Sequence, residues 1–226
     1  MRAPISVVIP VLNAQHVLAG CAASLMEGVE AGLIRELIVS DGGSDDDTRR
    51  IADEIGAVWI SGAASRGGQL KRGCEIAQGT WIMVLHADTQ LEPGWSAVAR
   101  AHLTLEKAGF FKLAFGSGGV PARLVAGWAN LRSALFGLPY GDQGLLVSRA
   151  LYDAVGGFQD MALMEDVALA RALKGQLRAL DARAMTSAAK YESAGWLRRG
   201  GRNLWTLARY FAGVPVERLA ATYRKP

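Results

Sequence analysis

The sequence predicts an α/β fold: a mostly parallel sheet with helices on both faces. Two observations carry this. Short β-branched or apolar runs alternate with helical stretches, and the polar residues Asn13, Asp41, Ser61 and Asp88 fall where such runs end. Strand–helix alternation calls for crossover connections, which lay helices on the faces of a parallel sheet. In such sheets ligands gather beyond the carboxyl ends of the strands.

The elements follow in order. "ISVVIPVLN" is β-branched, ends at Pro10 and Asn13, and reads as a central strand opening into a loop. Residues 17–32 read as a helix and "RELIVSDGG" as the next strand and its loop. Ser44 is placed to cap a helix running towards Ile55, with Asp45 to Asp47 in its first turn, where carboxylates suit the dipole. "GAVWISG" is a third strand, "GGQLKRGCEIA" a helix closed by Gly79, and "TWIMVLHAD" a fourth strand before the Pro93-Gly94 turn. The second half is less regular. "LEPGWSAVARAHLTLEKAG" contains a helix and "FFKLAFGS" alternates like a strand. "PARLVAGWANLRSALFG" is an apolar helix with arginines, and "YGDQGLLVSRALYDAVGGF" holds a turn, a short strand and a helix. "MALMEDVALARALKG" is a helix from about Glu165 to Gly175.

A chain of 226 residues, half of them hydrophobic, suits one domain with two halves, about 1–115 and 116–226. Cys21 and Cys74 form no CxxC pair, which speaks against a disulfide framework and for two buried thiols in a reducing compartment. No run reaches the ~20 residues a membrane span needs, and no leader is visible, so a cytoplasmic protein is expected. The formal charge of +4 is uneven: after Asp181, nine Lys or Arg face only Glu192 and Glu217, giving +7 there and −3 before it. A basic tail points to an anionic surface. Drawn as a helix, residues 196–211 put Trp196, Leu197, Leu204, Trp205, Leu207, Ala208 and Phe211 on one side and Arg198, Arg199, Arg202 and Arg209 on the other. Two readings stand: a helix at a lipid interface, or one whose apolar face packs on the protein's own core.

Four stretches carry chemistry. His86-Ala87-Asp88 at a strand end suits a divalent ion on phosphate oxygens, with Asp88 the harder ligand; alternatively His86 packs at the rim and Asp88 caps a turn. Asp41 ends a buried strand, where a carboxylate can accept hydrogen bonds from a nucleoside, while Asp45 to Asp47 read as a solvated turn. "SRGGQLKRG" sets Arg66, Lys71 and Arg72 around glycines that permit close backbone approach, which suits a diphosphate. It fits neither GxxxxGK[ST] nor GxGxxG, so mononucleotide kinases and NAD enzymes lose support. "MEDVAL" opens a helix with Glu165 and Asp166, where the dipole favours ionised carboxylates that can take a proton from an attacking hydroxyl; alternatively the pair is ordinary N-terminal helix charge.

Together "VVIPVLN", "VSDGGSDD", "SRGGQLKRG", "LHADT", "GDQGLLVSR" and "MEDVALARAL" resemble, in order, the family-2 glycosyltransferases of GT-A fold. The resemblance is nearest to a small bacterial subgroup in which "LHADT" replaces an Asp-x-Asp motif, and it covers roughly the first 175 residues. It implies that Pro10, Leu12 and Asn13 line the nucleoside pocket with Asp41 and Ser44. Arg66 and Gln69, with Lys71, would face the diphosphate, and Asp88, with His86, would hold Mn²⁺ or Mg²⁺. Asp142 and Gln143 of the GDQ turn and Glu165 would lie by the acceptor, and Asp166 would match the catalytic base, Glu165 beside it. Three residues depart from the pattern: His86 replaces an acidic residue, Lys71 an expected Asn, and Gly68 the subgroup's second Arg. The implied reaction is inverting, metal-assisted transfer from a UDP-linked sugar to an acceptor hydroxyl. The family's habits add a lipid-linked acceptor, the basic tail adds a peripheral place on the inner membrane face as one of its two readings, and no nucleic-acid partner is expected. The rival reading is a non-catalytic nucleotide-sugar binding protein.

Overall fold

In the computed structural model, which describes residues 2–223, the chain winds β1 (Ile5–Val11), α1 (Leu18–Glu30), β2 (Ile34–Asp41), α2 (Thr48–Glu54), β3 (Val58–Ser61), α3 (Arg66–Ile76) and β4 (Trp81–Val84). Then come β5 (Thr89–Leu91), α4 (Trp95–His102), β6 (Ala108–Phe115), α5 (Gly119–Phe136), a 3-10 turn at Gly141–Gln143, β7 (Leu145–Ser148) and α6 (Arg149–Ala154). The rest is α7 (Glu165–Ala172), β8 (Leu177–Thr186), α8 (Ala189–Ala194), α9 (Trp196–Phe211) and α10 (Val216–Tyr223).

The strands form one sheet in the order β3-β2-β1-β4-β7-β6-β8-β5. The first four are mutually parallel, and β7 runs antiparallel between β4 and β6. Alternation along β1 shows why the sheet is covered twice. Val7, Ile9 and Val11 enter one core with Leu18, Leu25, Met83 and Trp95, while Val8 enters the other with Leu70, Cys74, Ile82 and Val147. Both cysteines are buried, and burial pushes each thiol up to about 12, so both stay protonated.

Three expectations need correction. Ser44 does not cap a helix: α2 starts at Thr48, and the Ser44 hydroxyl instead donates to Asp41 and accepts from the Asn13 amide. β8 was not expected, although it is ten residues long and lies next to the sheet's edge. Its inward residues are Leu180, Ala182, Ala184 and Thr186, and alanine gives a weak strand signal. Short β5 pairs antiparallel with β8 where a loop was expected. The helix over 196–211 does form, straight through Gly200 and Gly201, and its apolar residues divide: Leu207 is buried against Met164 and Val167 and Trp196 packs on Phe115 and Tyr191, while Leu197 is 91% exposed and Trp205 66%. No helix among the described residues is long and apolar enough to cross a membrane.

Candidate active site

Parallel register brings the ends of β1, β2 and β3 level, with Val11 beside Asp41 and Asp41 beside Ser61. Asp41 is 2% exposed. Its carboxylate accepts from the amides of Gly43 and Ser44 and from the hydroxyls of Ser44 and Ser61. Burial alone would raise its pKa, but the hydrogen bonds from Ser44, Gly43 and Ser61 hold it below the usual range. Its lone pairs are therefore taken by its own loop. Asn13, in the left-handed region at φ 53°, receives the Asp45 amide on its side chain and gives its own amide to Ser44. These bonds shape a wall whose cleft-facing residues are Pro10, Leu12 and Asn13, with Leu12 53% exposed.

That wall borders an open cleft of about 580 Å³, which continues past Arg66 and Gln69 to His86 and Asp88. A volume of this size suits a small-molecule ligand. Beyond His86 and Asp88 lies an inner pocket of about 130 Å³, also lined by Arg66, Asp142, Asp166 and Arg199. Arg66, His86, Asp88, Leu163, Ser187 and Tyr223 border both spaces, so the two are contiguous.

The glycines of α3 serve a purpose other than the expected one. A Cβ on Gly67 would collide with the backbone of Gln159 and Met161, and one on Gly68 with Asp160. The chain's own 159–161 loop therefore fills the space. The first α3 amides are also engaged: Gly67 donates to Met161 O at 3.1 Å, Gly68 to Ser65 Oγ at 3.3 Å and Gln69 to Ser65 O at 2.7 Å. Lys71 is exposed and lines neither space, while Arg72 donates to the carbonyls of Asp41 and Ala63. Gln69 borders the cleft but spends its amide on Val11 O and Ser40 O, tying the ends of β1 and β2. Among the three basic residues of that stretch, Arg66 alone lines the cleft and the pocket.

Arg66 also reaches Glu165, which opens α7 and is 1% exposed, at 3.5 Å. Burial, then the neighbouring Asp166, push the Glu165 carboxyl up to about 7, and Arg66 opposes them. Glu165 lies outside the lining of the inner pocket, whereas Asp166 is part of it. Asp166 Oδ2 accepts the Gly141 amide at 2.7 Å and Oδ1 accepts the Val167 amide at 2.7 Å. Met164 precedes this pair at φ 67°, an uncommon conformation for a side chain of its size. Asp142 lines the pocket, and its Oδ1 has no hydrogen-bond partner among the described residues. Burial, then Asp166, push Asp142 up to about 6. Gln143 is fully buried and bonds to Phe111 O, Asn130, Ser133 and the Tyr140 amide, so it holds the turn rather than facing the pocket.

His86 and Asp88 face the same space but come from one strand end, and no group of three or more His, Cys, Asp or Glu among the described residues could hold a metal by itself. Such a pair fits a divalent ion that takes its other ligands from a bound diphosphate and water, as Mg²⁺ habitually does. His86 packs so tightly on the GDQ turn that a Cβ on Gly141 would collide with its ring.

The far wall of the pocket is formed by residues with no motif in the sequence: Tyr191, Arg199, Asn203 and Tyr223. Arg199 donates to Tyr223 Oη at 2.8 Å, Tyr223 to Asn203 Oδ1 at 3.1 Å, and Asn203 to Tyr191 Oη at 3.0 Å. All four line the inner pocket. The usable signal was the spacing of Arg199, Asn203 and Thr206, four and then three residues apart on one helix face.

A parallel sheet with a cleft at its carboxyl edge, running into a carboxylate-lined pocket, defines a GT-A-like α/β architecture. Residues 6–117 match the family described as glycosyl transferase family 2. Curated relatives named PGL/p-HBAD biosynthesis glycosyltransferase, from Mycobacterium bovis and Mycobacterium tuberculosis, are 35% identical over 99 residues, 40% of this chain and 38% of theirs. The chain thus spans well under half the length of these relatives. A structure of glucosyl-3-phosphoglycerate synthase from Mycobacterium tuberculosis with Mn²⁺, UDP and phosphoglyceric acid matches at TM-score 0.56 and 25% identity, covering 82% of this chain and 68% of that one. S. aureus TarS with UDP matches at TM-score 0.59 and 16% identity, covering 82% and 61%.

Proposed function

We propose that the protein transfers a sugar from a nucleoside diphosphate donor, UDP-linked as in the solved relatives, to an acceptor hydroxyl. The observation that carries this reading is the sharing of Arg66, His86 and Asp88 between a nucleotide-sized cleft and a pocket holding Asp166. Pro10, Leu12 and Asn13 contact the nucleoside, on a wall braced by Asp41 and Ser44. The Arg66 guanidinium meets the diphosphate. His86 and Asp88 would hold a divalent cation, which supplies positive charge against the departing diphosphate.

In the reaction, Asp166 takes the proton of the acceptor hydroxyl. The oxygen then forms its bond to the anomeric carbon as the bond from that carbon to the diphosphate oxygen breaks. The electron pair leaves with the diphosphate, and a single displacement of this kind inverts the anomeric centre. Asp142 faces the acceptor, and Glu165 acts one step back by setting Arg66. An acceptor carried by a lipid at an anionic membrane surface is in keeping with the exposed Leu124, Trp128, Leu197 and Trp205.

Calorimetry with UDP, with and without Mn²⁺ or Mg²⁺, tests the donor half. Metal-enhanced UDP binding supports the reading, and no UDP binding in either condition overturns it. A protein that binds UDP-sugars yet releases no UDP from them, with or without acceptors, would be a binding protein instead.

A further inference from the structure

We infer that the outward faces of α5 and α9 form a docking surface for an anionic lipid bilayer. α5 is built the wrong way round for a helix on a water-soluble surface. It buries Ala122, Ala126, Ala129 and Ser133 together with Arg132 and turns its large apolar residues outward. Leu124 is 69% exposed, Trp128 50%, Leu135 67% and Phe136 63%. α9 beside it is alike in part: it buries Leu207 against Met164 and Val167 but leaves other large apolar residues outside. Its inner face gives Arg199, Asn203 and Thr206 to the inner pocket, while Leu197, Trp205 and Phe211 stand outside. The helices pack on each other, and at their N-terminal ends a Cβ on Gly118 would collide with the Trp196 ring. Two helices that touch each other thus both expose large apolar residues, a grouping that marks interaction surfaces rather than an ordinary exterior.

Charge selects the occupant. Neither α5 nor α9 contains an Asp or Glu. Exposed Arg123 and Arg198 flank the surface, and exposed Arg171 of α7 lies 5.4 Å over the Phe211 ring at its border. A two-fold contact with a second copy would set these arginines against their own kind, with no carboxylate on either helix to answer them. An anionic bilayer offers an apolar layer for the leucines, an interfacial zone for Trp128 and Trp205, and phosphates for the arginines. On the proposed function this contact would place the acceptor pocket, directly behind α9, at the membrane surface. The docking itself is independent of that reading.

Vesicle flotation of the full chain tests the inference, with phosphatidylcholine vesicles and with equimolar phosphatidylcholine and phosphatidylglycerol. The wild type should float with the anionic vesicles at low salt and release as salt rises. Replacing Arg123, Arg171 and Arg198 together with Gln should weaken partitioning on the order of a hundredfold, at roughly fivefold per charge. Leu124→Gln with Trp128→Gln should also weaken it while circular dichroism and UDP affinity stay unchanged. If UDP binding fails but flotation holds, only the donor reading falls. Two results overturn the inference: a folded wild type that does not float at low salt, or a dimer in sedimentation velocity that the Leu124→Gln, Trp128→Gln pair dissociates.

Discussion

Arg66 and Glu165 stand 3.5 Å apart across the two helix starts that frame the cleft, one half-exposed and the other buried. The arginine is thus shared between a buried carboxylate and the open space where a diphosphate would lie. Arg66→Ala should weaken UDP binding and also leave Glu165 without its cation. Breaking a buried pair costs about 3–5 kcal/mol, and the solvent around Arg66 reduces that to about 1–3 kcal/mol. Thermal unfolding should show the larger loss at pH 8 and a smaller one at pH 5.5, where Glu165 takes a proton.

Glu165 makes a separate pH prediction. Its carboxyl is raised from 4.5 to about 7 by burial and Asp166, so the folded state holds a proton that the unfolded state gives up. Stability should therefore fall as pH rises from about 4.5 to about 7 and level off above that. Glu165→Gln should flatten this slope, with unfolding temperature measured across the range as the readout. A slope unchanged by the substitution would place the titrating group elsewhere.

Gly67→Ala tests the packing of α3 against the 159–161 loop. Alanine is the better helix former by up to ~1 kcal/mol, but here its methyl meets the backbone of Gln159 and Met161. The variant should lose about 1–3 kcal/mol of stability, as overpacked sites do. A variant of raised stability would mean that the loop yields easily.

Asp88→Ala should abolish the enhancement of UDP binding by Mn²⁺ or Mg²⁺ while leaving metal-free binding near wild type. His86→Ala should have the smaller effect, because hard divalent ions favour the carboxylate oxygen. Calorimetry that finds full metal enhancement in Asp88→Ala removes Asp88 from the ion's ligands.

Asp142 should impose a titration on acceptor binding. Its carboxyl, raised to about 6 by burial and Asp166, is a hydrogen-bond donor below that pH and only an acceptor above it. The KM for acceptor should change across pH 6 in the wild type and stay flat in Asp142→Asn. A change that persists in the variant would belong to another group.

Much of this was legible in the sequence because the parallel half obeys local rules. Val7, Val8 and Ile9 alternate between two cores, so β1 shows as a continuous apolar run with polar residues at its end. The same logic brought Asn13, Asp41 and Asp88 to one edge of the sheet. What stayed hidden depended on distant partners. Nothing local to Gly67 says that a loop from residue 159 will fill its space, and nothing local to Gln143 or Gln69 says that their amides will be spent on backbone. The two-sided character of α9 was visible as periodicity and the α5 stretch as an apolar helix with arginines, but neither says which face turns inward. In α5 the small residues won the interior, because alanines let the helix lie close on β6 near Leu113.

The central claim is transfer chemistry with Asp166 as the base, and release of UDP from UDP-sugars in the presence of Mn²⁺ and an acceptor tests it most directly. The measurement compares wild type with Asp166→Asn, with UDP affinity determined on both. Asparagine keeps the shape and the Gly141 amide contact but cannot take the proton, so turnover should fall by about 10²–10⁴ with UDP affinity unchanged. An Asp166→Asn protein that retains most of the wild-type turnover would contradict the account.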